Sequence, residues 1–141
     1  MSYPTILVGI AERLQTVPGL VVLNYEPRIL AERRAAYFLL DSFTRSQAGQ
    51  VTVMTYRINC RVCVRWQDNQ QAEADLAALI NPVCAAIDAD PKLGGRVVSG
   101  YARVDDAQAE YVDIGGTGAI NYRVCNVFIT VLEKGAYQGG L

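Results

Sequence analysis

The sequence predicts an α+β fold, a single domain in which a mainly antiparallel sheet of about five strands carries two principal helices. The chain has 141 residues, the length of one ordinary domain, and its hydrophobic content of 51% indicates a folded core. Two segments show apolar residues at helical spacing, and others alternate with the period of a strand. The predicted order is helix, three strands, helix, and two or three strands. We expect one domain over residues 1–134 and a flexible tail over residues 135–141.

The first half of the chain opens with a predicted helix. Ser2 can cap it, Pro4 lies in its first turn, and it is expected to end before Pro18 and Gly19. Four segments follow: a strand over residues 20–25, an ordered loop over 26–34, a strand over 35–42 and a hairpin loop over 44–49.

The hairpin loop leads into the longest alternating segment, residues 50–66. The thirteen residues from Met54 to Trp66 alternate without a break and would span about 43 Å, whereas a globule of this size is about 37 Å across. We therefore expect part of the polar, arginine-bearing face to meet another subunit. Val51 and Val53 have the parity of the polar set, which predicts a β-bulge or a change of burial between Val53 and Met54.

The second half begins with a second helix. Asp68 or Asn69 can cap it, and it is predicted to run to about Ile87 with a kink at Pro82. Five segments follow: a loop over residues 88–95, a strand over 96–105, a short strand over 109–114, a glycine turn over 115–118 and a strand over 120–133. The last strand is expected at the centre of the sheet, because it is apolar on both faces.

Composition argues against several classes of function. A net charge of −1 and a pI near 5.4 argue against wrapping nucleic acid or docking on an anionic membrane. The sequence has no run of apolar residues long enough for a membrane span, and it starts without a basic and apolar leader. We therefore expect no membrane partner, no signal peptide and a reducing compartment.

Cys60, Cys63, Cys84 and Cys125 raise the question of a metal site or a disulfide. Cys60 and Cys63 form a CxxC, but residues three apart on a regular strand point to opposite faces. Because the chain has no histidine, a mixed cysteine–histidine zinc site is impossible and the commonest general base is missing. We expect free thiols, no metal, no cofactor and no catalytic residue.

Two other motifs have structural explanations. The run GGTG at residues 115–118 lacks the lysine of a phosphate loop and is expected to be a hairpin turn. Six carboxylates match no calcium-loop spacing and are expected to be solvated: Asp88, Asp90, Asp105, Asp106, Glu110 and Asp113.

Arg57, Arg61 and Arg65 form the sharpest constellation, because residues at every fourth position of a strand stand in one row about 13 Å apart. Three interpretations are open: a solvated sheet face, pairing with acidic groups of a neighbouring subunit, or contact with nucleic acid. Nucleic acid is the least favoured, since aromatic residues are sparse in the row. We take the row as a candidate subunit interface. Charge reversal at Arg61 is then expected to abolish assembly and leave the monomer folded.

The layout of the chain resembles the tail terminator, or tail completion, proteins of long-tailed bacteriophages. The resemblance covers about residues 5–134 and lies in the order, length and local sequence of the elements. Its segments are ILVGIAERLQTVPGL, QVTVMTYRINCRVCVRW, the helix ending in AAIDADPKLGG, RVVSGYARVD and the terminal ITVLEKG.

This resemblance implies a structural virion protein, not an enzyme, whose copies form a hexameric ring. The ring would cap the tail tube, end its polymerisation and present a surface for the head or neck. The implied partners are the tail tube protein and a neck or head-completion protein, and genomic DNA would pass through without specific binding. The implied place is the head-proximal end of the virion tail, after assembly in the host cytoplasm. Residues 26–34, 44–49 and those from 134 onward are expected to make axial contacts.

Three other functions are open from the sequence. The first is a neck or head–tail joining subunit of related fold. The second is a small cytoplasmic enzyme, and the third is a monomeric binding module that adds a strand at an exposed sheet edge. A discrete monomer in solution would favour the second and third.

Overall fold

The computed structural model describes residues 3–23, 25–27, 30, 32–97 and 99–136. Within these residues the elements are α1 (Tyr3–Leu14), β1 (Val21–Val22), β2 (Arg34–Ala48), β3 (Val51–Arg65), α2 (Asn69–Asp88), β4 (Gly100–Val112) and β5 (Tyr122–Ala136). The strands form one sheet, parallel between β1 and β2 and antiparallel at its other pairings. The predicted α+β class, with two helices and a mainly antiparallel sheet, is confirmed.

The strand order is β1-β2-β3-β5-β4, so β3 is the middle strand. β5 lies in the interior of the sheet, as predicted, because it pairs with β3 on one side and β4 on the other. β3 and β5 pair along their whole length, from Val51 opposite Ala136 to Arg65 opposite Tyr122. We also use the word row for residues paired across the sheet from strand to strand, in contrast to the predicted row of arginines, which runs along β3. The rows fix which side chains of different strands share a face, because side chains alternate along every strand.

Both helices pack on one face of the sheet, which we call the helix face. The buried residues of α1 and α2 form one core with the even-numbered residues of β3 from Tyr56 to Val64. The opposite face carries a smaller core, in which Leu30 and Ile114 pack with Tyr37, Cys63 and neighbouring residues. Each fully buried aliphatic side chain contributes about 1.5–3 kcal/mol to folding. No helix among the described residues is both long and apolar enough to cross a membrane.

The hairpin of β2 and β3 is longer than the sequence predicts. β2 runs to Ala48, so most of the predicted loop over residues 44–49 is strand, and only Gly49 and Gln50 form the turn. Gly49 has a φ of +62°, which suits a two-residue hairpin turn and which glycine adopts without strain. Residues 44–47 are exposed, so their polar sequence resembles a loop. We call residues 43–56 the hairpin arm.

The predicted β-bulge between Val53 and Met54 is wrong. β3 pairs with β5 without interruption, and Thr52 continues the buried set on the helix face. The irregularities lie in the neighbouring strands, where Asp41 is an extra residue in β2 and Asp105 is an extra residue in β4.

Several element ends differ from the prediction. The strands predicted over residues 96–105 and 109–114 are one strand, β4, with the bulge inside it. β5 reaches Ala136, beyond the predicted domain end, whereas residues 137–141 and Ser2 lie outside the described residues. β1 has only two residues in place of the strand over 20–25, of which residue 24 is not described. The predicted cap of α2 is correct, since Asp68 accepts a hydrogen bond from Gln71 N at 2.8 Å.

Gly100 provides a test of how tightly β4 packs on β5. A Cβ at this position would lie 1.8 Å from the carbonyl oxygen of Leu132, and Gly100 has a φ of +151°. We expect Gly100→Ala to lower the free energy of unfolding in urea by about 2 kcal/mol or more, because the backbone must shift and strain is added. Gly135→Ala is the control, since nothing lies within 4 Å of its Cβ. Equal stability of the two variants would contradict the close approach.

Candidate functional site

Arg57, the first residue of the predicted row, lies between the two bulges. Its Nε donates to Asp41 Oδ2 at 3.1 Å, and its Nη1 is 3.9 Å from Asp105 Oδ2. The guanidinium carbon also lies 4.2 Å from the centre of the Phe128 ring, which adds a cation–π contact. Each bulge therefore directs its extra carboxylate toward the same arginine.

Arg61, the second residue of the row, is held still more closely, and its side chain is 14% exposed. Nε donates to Asn126 Oδ1 at 3.1 Å, Nη1 to the Tyr37 hydroxyl at 2.9 Å and Nη2 to Glu110 Oε1 at 3.0 Å. These partners come from β5, β2 and β4, so one side chain on β3 links the four long strands. A buried guanidinium is retained at low cost only when its donors are satisfied in this way.

The assignment of the arginine row as a subunit interface stays a prediction. It assumed that the arginines pair with acidic groups of a neighbouring subunit, and two of the three have acidic partners within the chain. Arg57 and Arg61 pair with carboxylates of their own chain. Asp105 and Glu110 are exposed, as expected for solvated carboxylates, and they also pair with Arg57 and Arg61 of their own chain. Charge reversal at Arg61 would therefore weaken the monomer as well as any assembly.

Arg65, the third residue of the row, is exposed at the end of β3 and lines a cavity of about 200 Å³ with Arg33, Gln67, Gln71 and Asp75. Its backbone N–H donates to Arg33 O at 2.8 Å, which holds the start of β2 at the end of β3. The structure thus separates Arg65 from Arg57 and Arg61 in environment, although all three lie on one strand.

Asp75 is the buried centre of this cavity's wall, and the sequence analysis missed it. Its carboxylate accepts hydrogen bonds from Arg34 Nη2 and Gln71 Nε2 at 2.9 Å each, and from Arg33 Nη2 at 3.3 Å. Desolvation alone would raise the pKa of Asp75, but the hydrogen bonds from Gln71 and the two arginines outweigh it and lower the pKa. A polar residue on the apolar side of a helical pattern is the signal that could have found it.

The four cysteines are free thiols, of which Cys60, Cys63 and Cys125 are buried. Burial raises the pKa of Cys63 to about 12, and it raises the pKa of Cys60 further. A thiol that stays protonated at neutral pH is a poor nucleophile and a poor metal ligand. Within the described residues no three potential metal-ligating side chains come together.

The glycine run lies in a loop organised by Asp113. This carboxylate accepts hydrogen bonds from the Thr117 hydroxyl at 2.7 Å and from the backbone N–H groups of Thr117 and Gly118. These bonds from Thr117 and Gly118 lower the pKa of Asp113. Residues 115–118 lie in the connection between the antiparallel strands β4 and β5, as a hairpin requires, but this connection is a loop over residues 113–121 and not a tight turn.

The two outer strands form the candidate interaction surface. β2 and β4 are the long strands at the margins of the sheet, and each has a margin that no long strand covers among the described residues. Unpaired backbone N–H and C=O groups of this kind can pair with another chain. Because each step from β2 through β3 and β5 to β4 is antiparallel, β2 and β4 run in opposite directions.

Comparison with known proteins adds no assignment. A scan against protein-family models and a search of curated proteins found no match for this chain. The functional conclusion therefore depends on the sheet margins and on the side chains described above.

We expect Arg61→Ala to lower the free energy of unfolding by about 2–3 kcal/mol, because Tyr37 and Glu110 lose a charged, largely buried partner. Arg103→Ala is the control. Arg103 is 58% exposed and pairs with Asp105, so its loss is expected to cost less than about 1 kcal/mol. Urea unfolding of both purified variants measures the difference. A cost at Arg61 no larger than at Arg103 would contradict the structural role.

The Asp75 cluster predicts a pH dependence of stability. The lowered pKa of Asp75 means that its ionised form stabilises the fold above the unfolded-state pKa of about 3.9, and that this contribution is lost as the pH falls through the lower folded-state pKa. The stability gap between the wild type and Asp75→Asn is therefore expected to be largest above about pH 4 and to shrink toward pH 2. Urea titrations across this range measure it, with the exposed Asp106→Asn as control. A gap that does not vary with pH would contradict the assignment.

Proposed function

We propose that this protein is a structural subunit whose copies join side to side through their sheet margins into a closed ring. The observation that carries the proposal is the pair of unpaired margins, on strands that run in opposite directions. When the next copy is related by rotation about an axis inclined at an acute angle to the strands, its β4 continues the antiparallel alternation beside β2. A head-to-tail contact of this kind uses two different surfaces and generates rings or filaments.

Within this class, we propose a tail terminator of a long-tailed bacteriophage, forming a hexameric ring on the tail tube. The resemblance of the sequence supports this choice, and the confirmed fold class agrees with it. The pairing of Arg57 and Arg61 with Asp41, Asp105 and Glu110 also supports it, because a polyanion passing such a face would meet little uncompensated positive charge. The proposed location is the head-proximal end of the tail.

The ring is tested by mass photometry and negative-stain imaging of the purified chain, alone and with headless tail tubes. We expect ring particles of six copies that sediment with the tubes. Binding to portal-bearing heads in place of tubes would favour a neck subunit. Single copies under all conditions, including with tubes, would contradict the ring and favour a monomeric binding module.

A proline substitution tests whether a sheet margin is used. Gln47 belongs to the alternate residues of β2 whose backbone groups point away from β3, as those of Ala36 do where its carbonyl accepts from Leu23 N. Gln47→Pro is expected to abolish assembly and to retain the monomer, because it removes an outward N–H and restricts the backbone only at an exposed position. Gln47→Ala is the matched control, since it removes the same side chain, with its hydrogen bond to Gly49 O, and keeps the N–H. Assembly lost equally in both variants would contradict backbone pairing.

A further inference from the structure

The free margin of β2 begins part-way along the strand. β1 pairs with β2 at Ala35 and Ala36, and Leu23 N donates to Ala36 O at 2.8 Å. Among the described residues, no strand pairs with β2 on this side from residue 37 to residue 48. The free part therefore includes the hairpin arm and ends at the turn.

The free margin of β4 lies at the opposite end. Ala102 N donates to Pro91 O at 2.8 Å, and Val104 N donates to Asp88 Oδ1 at 3.3 Å. The end of α2 and the segment after it thus accept the outward hydrogen bonds at the start of β4, and we call residues 88–91 the cover of β4. Beyond the bulge at Asp105, residues 106–111 are exposed and no other segment covers them in the described structure. The outward N–H of Ala107 donates to the neighbouring Asp106 Oδ1 at 2.8 Å, so this exposed side chain has to turn away when the margin pairs with another strand.

The two free segments lie at different heights in the sheet. Tracing rows across β3 and β5 places Val104 of β4 level with Leu40 of β2, and Gln108 level with Tyr37. A second copy placed beside the first without displacement would therefore bring β1 of one copy against the free residues of β4. It would also bring the cover of β4 against the hairpin arm. The copies have to be displaced along the strands.

The displacement has to be an even number of residues. Side chains alternate between faces, so an odd displacement would place the helix-face residues of one copy beside the opposite face of the next. Backbone groups alternate as well. Backbone N–H and C=O groups point out of the sheet margin at Ala36 of β2 and at Ala102 and Val104 of β4. Traced across the sheet, these three residues are level with even-numbered residues of β3, so the outward groups lie on every second row. An even displacement brings outward groups of one copy to outward groups of the next.

A displacement of eight residues keeps β1 and the cover of β4 out of the contact between the two copies. It moves Val104 to the turn of the neighbouring hairpin, so the cover of β4 clears the arm, and it aligns residues 106–111 with residues 43–48. Smaller even displacements leave the cover against the arm, and larger ones carry Asp106 past the turn. Eight residues correspond to about 26 Å along a strand.

The side chains brought together by this displacement are compatible. On the helix face, Phe43 would lie beside Tyr111, and these residues are 46% and 39% exposed in the free chain. On the other face, Ser46 would lie beside Gln108 and Thr44 beside Glu110. Aromatic cross-strand pairs and polar pairs each stabilise a sheet by about 0.2–1 kcal/mol.

Pairing of two β4 margins is less favourable on charge. It would bring Asp105, Asp106 and Glu110 of one copy toward the same residues of a second, and Arg103 is the basic residue of the strand. Pairing of two β2 margins would leave both β4 margins uncovered and would not close a ring. The charge and the geometry therefore favour a contact between β2 and β4.

We propose that residues 43–48 in the hairpin arm of one copy pair antiparallel with residues 106–111 in β4 of a second copy, displaced by eight residues. This inference rests on the proposed ring and names the surface through which its subunits join. The strands then tilt against the ring axis, as strands do in closed barrels.

Cysteine cross-linking tests the displacement. Ser46→Cys and Gln108→Cys are prepared separately and mixed under mild oxidation. The proposed row makes these residues a non-hydrogen-bonded pair, with Cα atoms about 4.5 Å apart, within disulfide range. We expect a two-chain disulfide product in the mixture, at least tenfold more than in either variant alone. Ser42→Cys mixed with Gln108→Cys is the matched control, since it uses the same face at a displacement of four residues. Circular dichroism checks that each variant is folded.

Three outcomes would overturn the inference. Rings of the wild type without the Ser46–Gln108 cross-link, or with the Ser42–Gln108 cross-link in its place, would reject the displacement and leave the proposed ring intact. Predominant cross-linking of one variant with itself would reject the contact between different margins. No assembly and no cross-link would reject both proposals. A Ser46–Gln108 cross-link in open fibres would support this contact and reject the closed ring.

Discussion

The uninterrupted pairing of β3 with β5 is the constraint on which the rest of the structure depends. These strands pair from Val51 opposite Ala136 to Arg65 opposite Tyr122. Because the pairing never slips, one parity of β3 faces the helices and the other faces the arginine network along the whole length. The bulges are confined to β2 and β4, where the extra residues Asp41 and Asp105 reach Arg57. The two inner strands therefore keep a regular register, although both strands that flank them contain a bulge.

The arginine network changes how an interface on this protein should be understood. Arg61 joins the long strands through Tyr37, Asn126 and Glu110, so its charge is used within one chain. Such a side chain contributes more to the geometry of the sheet than to recognition of a neighbour. The surface that we propose for association consists of backbone groups on the outer strands, whose pairing depends on direction and register and only weakly on charge.

The sequence predicted the fold class, the order of the elements, a last strand paired on both sides and the Asp68 cap, because these depend on local periodicity and on capping chemistry. It failed at residues 44–48 and across Asp105, where exposed strands have no apolar pattern to reveal them. The partners of Arg57 and Arg61 come from strands distant in sequence, and no spacing rule brings Asp41 or Glu110 to them. The margins of the sheet were equally hidden, since coverage by β1 and by the segment after α2 is a tertiary property.

The order of strands also has a consequence for synthesis. β5 is the last described element of the chain, yet it lies between β3 and β4, which are made earlier. Until β5 emerges from the ribosome, β4 lacks the strand with which it pairs in the finished sheet. The contacts between β3 and β5 join residues far apart in sequence, and such contacts form slowly because a long loop must close first. The sheet is therefore expected to be completed only once β5 is available to pair with both β3 and β4.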